Sequence, residues 1–398
     1  MRKIALLILI ISGTILNLTG QDRYWTLEEC INHAVDNNII IKQQELQTKL
    51  QENTLEQSKL DLLPSLNGTA TNNWSFGRAL DETTYQFTEE ENVRSNQFYA
   101  SSGVTLFSGL QSYNTIVRNR YNVDASFQDL QNIKDDISLN VALAYLQILL
   151  NKELVAVTGN QLQTTREQIE KTRKMVEAGS LPRGNLLEIQ AQAALEELQL
   201  INMENQLDLS YLNIVQLLEL DSVAGFEIIV PEIVITETGI ITENVNDIYN
   251  TAKQIRPEVK SAELRLKSAE YDLKIAKGGR SPRLNLNTTF STGYSSIRQK
   301  ILGIDPVEGI LYGEYPFADQ LNDNINYGIG LTLSIPVFNG WQVNTSISNS
   351  KISIQNSQYS LENTRKQLYK NIQQAYADAQ ASLKSYIASQ KAVESMQE

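Results

Sequence analysis

The sequence predicts a helix-dominated membrane protein that also supplies strands to a β-barrel, built from two structural repeats of the form helix, strand, strand, long helix. Three observations predict this class. Residues 32–71 superimpose without a gap on residues 250–289: Pro64 falls on Pro282, an offset of 218, and Asn32, Ala34, Lys42, Glu45, Leu46, Lys49, Glu52, Leu66 and Asn67 all meet identical residues at that offset. Phe107-Ser-Gly109 then meets Phe338-Asn-Gly340 at an offset of 231, so the second unit carries 13 more residues between its strands. Repetition on this scale governs the fold before any single element does. The other two observations are four segments that alternate with period two and two long segments without proline.

Taken in chain order, residues 1–20 come first. Met1-Arg2-Lys3 and the apolar run Ile4 to Ile11, weakening towards Leu18, have the charged start and short apolar stretch of a secretory signal peptide. The apolar part is shorter than the roughly 20 residues of a spanning helix. The mature chain is expected to begin near Gln21. The first repeat occupies 21–225, with a helix over 26–63, strands over 65–77 and 97–107, a long helix over 109–178 and a returning helix over 184–220. A connector follows at 226–242. The second repeat fills 243–398, with a helix over 243–278, strands over 284–296 and 325–338 and a long helix over 340–398.

The strands carry the membrane prediction. Residues 325–337 place Ile325, Tyr327, Ile329, Leu331, Leu333, Ile335 and Val337 on one face against Asn326, Gly328, Gly330, Thr332, Ser334 and Pro336 on the other. Leu284, Leu286, Phe290 and Tyr294 repeat the pattern, as do Leu66, Ala70, Trp74 and Phe76, and then Phe98, Ala100, Val104 and Leu106. Strands of ordinary soluble sheets run about five or six residues, whereas tilted barrel strands need about nine to eleven. Trp74, Phe76, Tyr99, Phe107, Phe338 and Trp341 crowd the strand ends, as interfacial aromatic girdles do. The segments Arg78–Asn96 and Ile297–Asn324 read as solvent loops. Four strands are too few for a membrane barrel, and open edges cannot face lipid, so the chain must oligomerise. Two copies would give eight strands and three would give twelve; strand count alone does not choose.

The helices are the other unusual element. From Gly109 to Ala178 there is no proline and Gly159 is the one internal glycine, so about seventy residues would form a rod of roughly 100 Å. Leu130, Ile133, Ile137, Val141, Ala144 and Ile148 keep helical spacing, and Val155, Leu162, Ile169 and Val176 recur every seven residues beside Thr158, Thr165 and Thr172. After the break Gly179-Ser-Leu-Pro-Arg-Gly184, Leu186, Ala193, Leu200, Leu207 and Ile214 form one heptad stripe. Leu187, Ala191, Ala194, Leu198 and Ile201 form an adjoining one. Two stripes on one helix suit a wall in which each helix touches a neighbour on both sides.

Composition excludes several function classes. A net charge of −12 argues against a nucleic-acid partner. Lys277, Arg280 and Arg283 cluster where a helix ends and complement its dipole. His33 is the one histidine and Cys30 the one cysteine, which is too few ligands for a metal site, too few residues for a triad, and no internal disulfide. Asp135-Asp136 and Glu196-Glu197 are adjacent and diverge on a helix, reading as solvated faces. Gly328-Ile-Gly330 lacks the third glycine of a nucleotide-binding turn. The expectation is therefore no catalytic residue, no cofactor and no enzyme.

The repeat, the Leu62-Leu63-Pro64-Ser65-Leu66 exit into a strand, the Val337-Phe338-Asn339-Gly340 turn, the stretch from Glu177-Ala-Gly179 to Leu187-Glu188, and the opening Trp25 to Asn38 together resemble bacterial outer-membrane efflux proteins of the TolC kind. The resemblance covers nearly everything after the signal. It implies a homotrimer, a twelve-stranded barrel set in outer-membrane lipid, and a helical barrel crossing the periplasm. It further implies the exit duct of a tripartite efflux or type I secretion system, joined by a periplasmic adaptor, a membrane fusion protein, to an inner-membrane transporter. By the same resemblance Ala178, Gly179, Ser180, Leu181, Pro182 and Arg183 form the adaptor-docking tip, and 226–242 belongs to an equatorial belt. Asn185 departs from the family by standing where an acidic residue is common. The second counterpart of Gly179 would lie at position 410, so the expectation is that these 398 residues are a fragment of a longer protein. A trimeric outer-membrane adhesin is the alternative, although its strands would be contiguous; a structural coiled-coil protein of the envelope is another.

Overall fold

A computed structural model describes residues 23–78, 80–81, 86–87, 91–231, 243–306 and 309–397. The expected signal peptide, most of the connector and Ile233 to Ile235 lie outside the described residues. Strand β1 (Arg23–Trp25) leads into helix α1 (Leu27–Asn37), which opens on a capping box. Thr26 Oγ1 accepts from Glu29 N at 3.1 Å while Glu29 Oε2 accepts from Thr26 N at 2.9 Å, satisfying two donors that a helix start leaves free.

The single helix expected over 26–63 is two. Asn38 is extended (φ −59°, ψ 130°), ends α1, and caps α2 (Ile39–Leu60) by accepting from Ile40 N at 2.9 Å. The helix expected over 243–278 breaks at the equivalent position, Arg256, between α5 (Val245–Ile255) and α6 (Pro257–Gly278). There the cause is Pro257, which pushes the residue before it out of helical geometry. One break thus has two chemistries at one repeat position.

Four strands form one antiparallel sheet in the order β2 (Ser65–Gly77), β5 (Glu91–Phe107), β7 (Arg283–Ser295), β10 (Asn326–Ser334). Between them sit a short hairpin of β3 (Leu80–Asp81) and β4 (Gln86–Phe87), a second hairpin of β8 (Gln299–Asp305) and β9 (Gly309–Glu314), and helix α7 (Phe317–Asp323). Strand β5 starts at residue 91 and not at 97, since the whole of β2 pairs with it up to Gly77 opposite Glu91. Strand β10 stops at Ser334 and not at 338. Its last partner is Arg283, where β7 begins, and Pro336 has no N–H to extend a ladder. The segment expected as a plain loop after Ile297 holds β8, β9 and α7, tied down by Gln320, whose side chain donates to Ser295 O and Tyr315 O and accepts from Ser295 N.

The long helices are α3 (Gln111–Glu177) and α8 (Gln342–Gln397), with α4 (Arg183–Leu217) returning beside α3 and ending before 220. The main core lies where α1, the start of α2, α3, α4, β1 and β6 (Phe226–Ile228) converge, on Cys30, Ala34, Ile41, Val141, Ile148, Ile214 and Leu218. Strand β6 lies parallel to β1. Tyr145 Oη donates to the backbone oxygens of Trp25 and Ile229, while Glu227 accepts from Tyr211 Oη at 2.9 Å and pairs with Lys152 at 3.1 Å. Those bonds fasten the short sheet to the helices.

The repeat is visible in side chains as well as backbone. Lys134 pairs with Glu45 at 3.3 Å and, at the repeat offsets, Arg365 pairs with Glu263 at 2.6 Å. Ile41 and Val259 are both buried to within 1%, and Ile137 and Leu368 are both buried. Ala70 faces Phe98 in the first hairpin; adding 218 and 231 gives Thr288 and Ile329, which face each other in the second.

Candidate functional site

Register fixes the two faces of the four-stranded sheet, because directly paired residues point the same way. Leu331, Leu286 and Val104 lie in line, as do Leu333 and Leu284, and Tyr327, Phe290 and Ala100. Trp74 and Phe76 join that apolar face on β2, opposite Arg94 and Asn92. The other face carries Thr332, Asn285 and Thr105 in one row and Gly330, Asn287 and Gly103 in the next. Tyr99 is a correction: paired with Thr69 and Ser291, it sits on the polar face and belongs to no lipid-side girdle. Phe338 and Trp341 lie beyond the strand, in the turn into α8.

An apolar face of Leu, Ile and aromatic residues backed by a face of Asn, Ser, Thr and Gly is what a wall between lipid and water requires. Ile329, Leu331 and Tyr327 are 80%, 66% and 78% exposed, far more than a soluble sheet leaves open. Strands β2 and β10 are the two edges of the sheet. Below it the helices follow the same lateral order: α2 packs on α3, α3 on α6, and α6 on α8.

Both strand-to-helix turns place two successive residues at positive φ: Gly109 (64°) and Leu110 (62°), then Gly340 (58°) and Trp341 (67°). A left-handed leucine or tryptophan is strained, and its recurrence at equivalent positions marks this turn as built into the repeat. Gly109 is held tightly, since a Cβ there would come within 2.4 Å of Ser281 Cβ and 2.5 Å of Gly278 O. Gly340 faces open space.

Helices α3 and α4 form a coiled coil. On α3 Leu162, Thr165 and Thr172 are buried, with Val155, Thr158, Ile169 and Val176 half-buried; on α4 Ala193, Glu196, Ser210 and Ile214 are buried, and Leu186, Leu200 and Leu207 half-buried. The α3 set steps by three and four and the α4 set by three, four and seven, the heptad seam of two facing helices. Glu196 sits in it, accepting from Gln192 at 2.9 Å and Gln161 at 3.3 Å. Gln192 foremost, then the Thr165 hydroxyl and Gln161, hold its carboxyl below the usual range against the opposing effect of burial. The sequence alone reads Glu196 as solvated; packing of α3 against α4 buries it. Of the two stripes predicted on α4, the one from Leu186 to Ile214 makes this seam, while Leu187, Leu198 and Ile201 stay exposed.

The turn between them is a Schellman motif. Ser180 N donates to Met175 O at 2.8 Å and Gly179 N to Val176 O at 3.0 Å, with Gly179 at φ 73°. A Cβ on Gly179 would meet nothing within 4 Å, so within the chain glycine serves conformation and not space. Ala178, Ser180, Pro182 and Arg183 are exposed and Leu181 half-exposed. Pro182 leads α4 without a side-chain cap.

His33 and Cys30 do not converge on a metal. The His33 ring packs edge-on against Trp25 at 5.2 Å. Cys30 is buried and its thiol is pushed up to about 11 by that burial. Among the described residues no His/Cys/Asp/Glu group is placed to hold a metal ion.

The sequence matches the family described as outer membrane efflux protein over residues 30–219 and 248–398. It is 20% identical, over 86% of this chain and 67% of the relative, to the outer membrane efflux protein BepC of Brucella suis biovar 1 (strain 1330). A membrane protein from Pseudomonas aeruginosa has the same fold, with a TM-score of 0.74 at 18% identity over 91% of this chain and 79% of that one. The outer membrane protein VceC of Vibrio cholerae gives a TM-score of 0.70 at 18% identity over 89% and 79%. With a two-faced strand sheet continuous with a long helical hairpin and the family match over both repeats, the chain belongs to the outer membrane efflux protein family and acts in the outer membrane as an exit duct.

Proposed function

We propose that three copies of this chain close a twelve-stranded barrel and form the outer-membrane end of a tripartite efflux or type I secretion system. The α3–α4 tip, Ala178 to Arg183, docks a periplasmic adaptor protein, and an inner-membrane transporter supplies the energy. The chain itself is a passive conduit. The observation that carries this reading is geometric: the sheet runs directly into α3, whose 67 residues reach about 100 Å at 1.5 Å per residue, putting the tip far from the lipid-facing strands. A turn that needs glycine only for its φ, and whose residues are otherwise exposed, is free to meet another protein.

The test substitutes Gly179→Trp and, separately, Arg183→Glu, and measures oligomer yield and export on the same cells. Intact oligomers with lost export are expected for both. Gly179→Asn, which tolerates the left-handed conformation, should keep both. Intact oligomers that still export with the tryptophan in place would remove the docking assignment.

A further inference from the structure

The apolar face of the four-stranded sheet carries one charged side chain. By register that face runs from Leu66 to Phe76 on β2, Asn92 to Leu106 on β5, Leu284 to Tyr294 on β7 and Tyr327 to Leu333 on β10, and among these residues Arg94 alone is charged. A charge on a surface that meets lipid is unfavourable unless it has a partner, and so marks a site. Arg94 is exposed and its side chain touches neutral groups: Nε donates to Asn72 Oδ1 at 3.4 Å, and the guanidinium lies 5.3 Å from the centre of the Trp74 ring. Among the described residues no carboxylate pairs with it.

The height of Arg94 selects the part of the lipid it meets. The apolar run of β5, Phe98 to Leu106, is centred on Ser102, and Arg94 stands eight residues before that centre, on the order of 26 Å along the strand. At a barrel tilt of about 45° this is roughly 19 Å of height, against roughly 12 Å from the middle to the edge of an apolar band about 25 Å tall. The side chain leans back to Asn72, which faces Asn96, roughly 5 Å nearer the middle. The guanidinium is therefore at headgroup level, at the end of the sheet away from the long helices. Tyr294 faces Asn96 and stacks on Phe317 at 5.0 Å, so aromatic rings flank the site on both sides of β5.

We propose that Arg94, set between Asn72 and Trp74, binds the phosphate of an anionic lipid headgroup. With the helices on the periplasmic side, as proposed above, that lipid belongs to the outer leaflet. The backbone at the site is fixed, because Arg94 N donates to Ser296 Oγ at 2.9 Å and Ser296 N donates to Arg94 O at 2.9 Å. Asn72 Oδ1 accepts from Asn96 Nδ2 at 3.2 Å as well as from Arg94 Nε, so one acceptor orients the guanidinium by Nε and leaves both Nη groups for phosphate oxygens. The Trp74 ring attracts the guanidinium without neutralising it. Inorganic phosphate offers the same oxygens but has no chain to lie against Trp74 and Tyr294, which is why the geometry points to a lipid.

Trp74 can report its own site. In a Trp341→Phe background it is the one tryptophan on the sheet, since Trp25 is buried in the helical core. The chain is reconstituted in phosphatidylcholine vesicles, and quenching of tryptophan fluorescence is compared for brominated phosphatidylglycerol and brominated phosphatidylcholine. Phosphatidylglycerol should be preferred about fivefold, and Arg94→Gln should abolish the preference. Arg94→Lys keeps the charge without the fork and should at least halve it. Arg283→Gln, which removes a cation from the polar face, should leave it unchanged. A preference that survives Arg94→Gln, stays whole in Arg94→Lys, or falls equally in Arg283→Gln would overturn the site. Inorganic phosphate should compete no better than chloride at equal ionic strength; stronger competition would make free phosphate the ligand and overturn the lipid assignment. Oligomers on unheated gels and ion conductance are read on the same preparations, so a failed lipid preference leaves the exit-duct reading standing, and loss of both in the wild-type chain would overturn that reading separately.

Discussion

Gly109 and Gly340 occupy equivalent turns, each followed by a left-handed non-glycine residue, and yet their surroundings differ. Ser281 and Gly278 press on the first, and no atom within 4 Å limits a side chain at the second. Local sequence therefore sets the backbone of the turn in both repeats. Its packing differs because the end of α6 lies against Gly109, whereas among the described residues no helix end of the same chain lies against Gly340.

The sharpest way to break this comparison is one substitution made twice. Gly109→Ala must pay for positive φ and displace Ser281 and Gly278 O, a loss of about 3 kcal/mol or more. Gly340→Ala should cost only the backbone share, about 1 to 2 kcal/mol. The temperature at which oligomers convert to monomer on gels reads both. Equal losses would mean that the neighbouring copy packs Gly340 as tightly as α6 packs Gly109.

The two hairpins offer a comparison of faces. Leu331→Arg, on the apolar face, should cost about 2 to 4 kcal/mol per chain near mid-membrane, measured by folding into lipid vesicles, and the first-repeat counterpart Ala100→Arg should cost a similar amount. Thr332→Arg, on the polar face, should fold and alter ion conductance. Equal effects at Leu331 and Thr332 would mean the faces are reversed.

Smallest of all is the repeated ion pair. Lys134 with Glu45 and Arg365 with Glu263 are partly exposed, so Lys134→Ala and Arg365→Ala should each cost under about 1 kcal/mol and cost less in high salt. A large loss at one alone would show that the repeats divide the load unequally.

Sequence by itself determined the features that depend on neighbours a few residues away. The period-two faces of β7 and β10, the seven-residue stripe from Leu186 to Ile214 and the glycine turn at the tip were legible, because alternation, helical pitch and left-handed φ are properties of short segments. The break at Asn38 was equally local, but a helix pattern runs on through a capping asparagine and hid it. Tertiary structure decided what depends on residues far apart in the chain. Glu196 is buried because α3 and α4 fold against each other over it, and Gln320 closes α7 onto Ser295. Burial is a joint property of two surfaces, and one strand of text does not state which of its apolar stripes will find a partner. On α4 two stripes had equal claim, and α3 covered one of them.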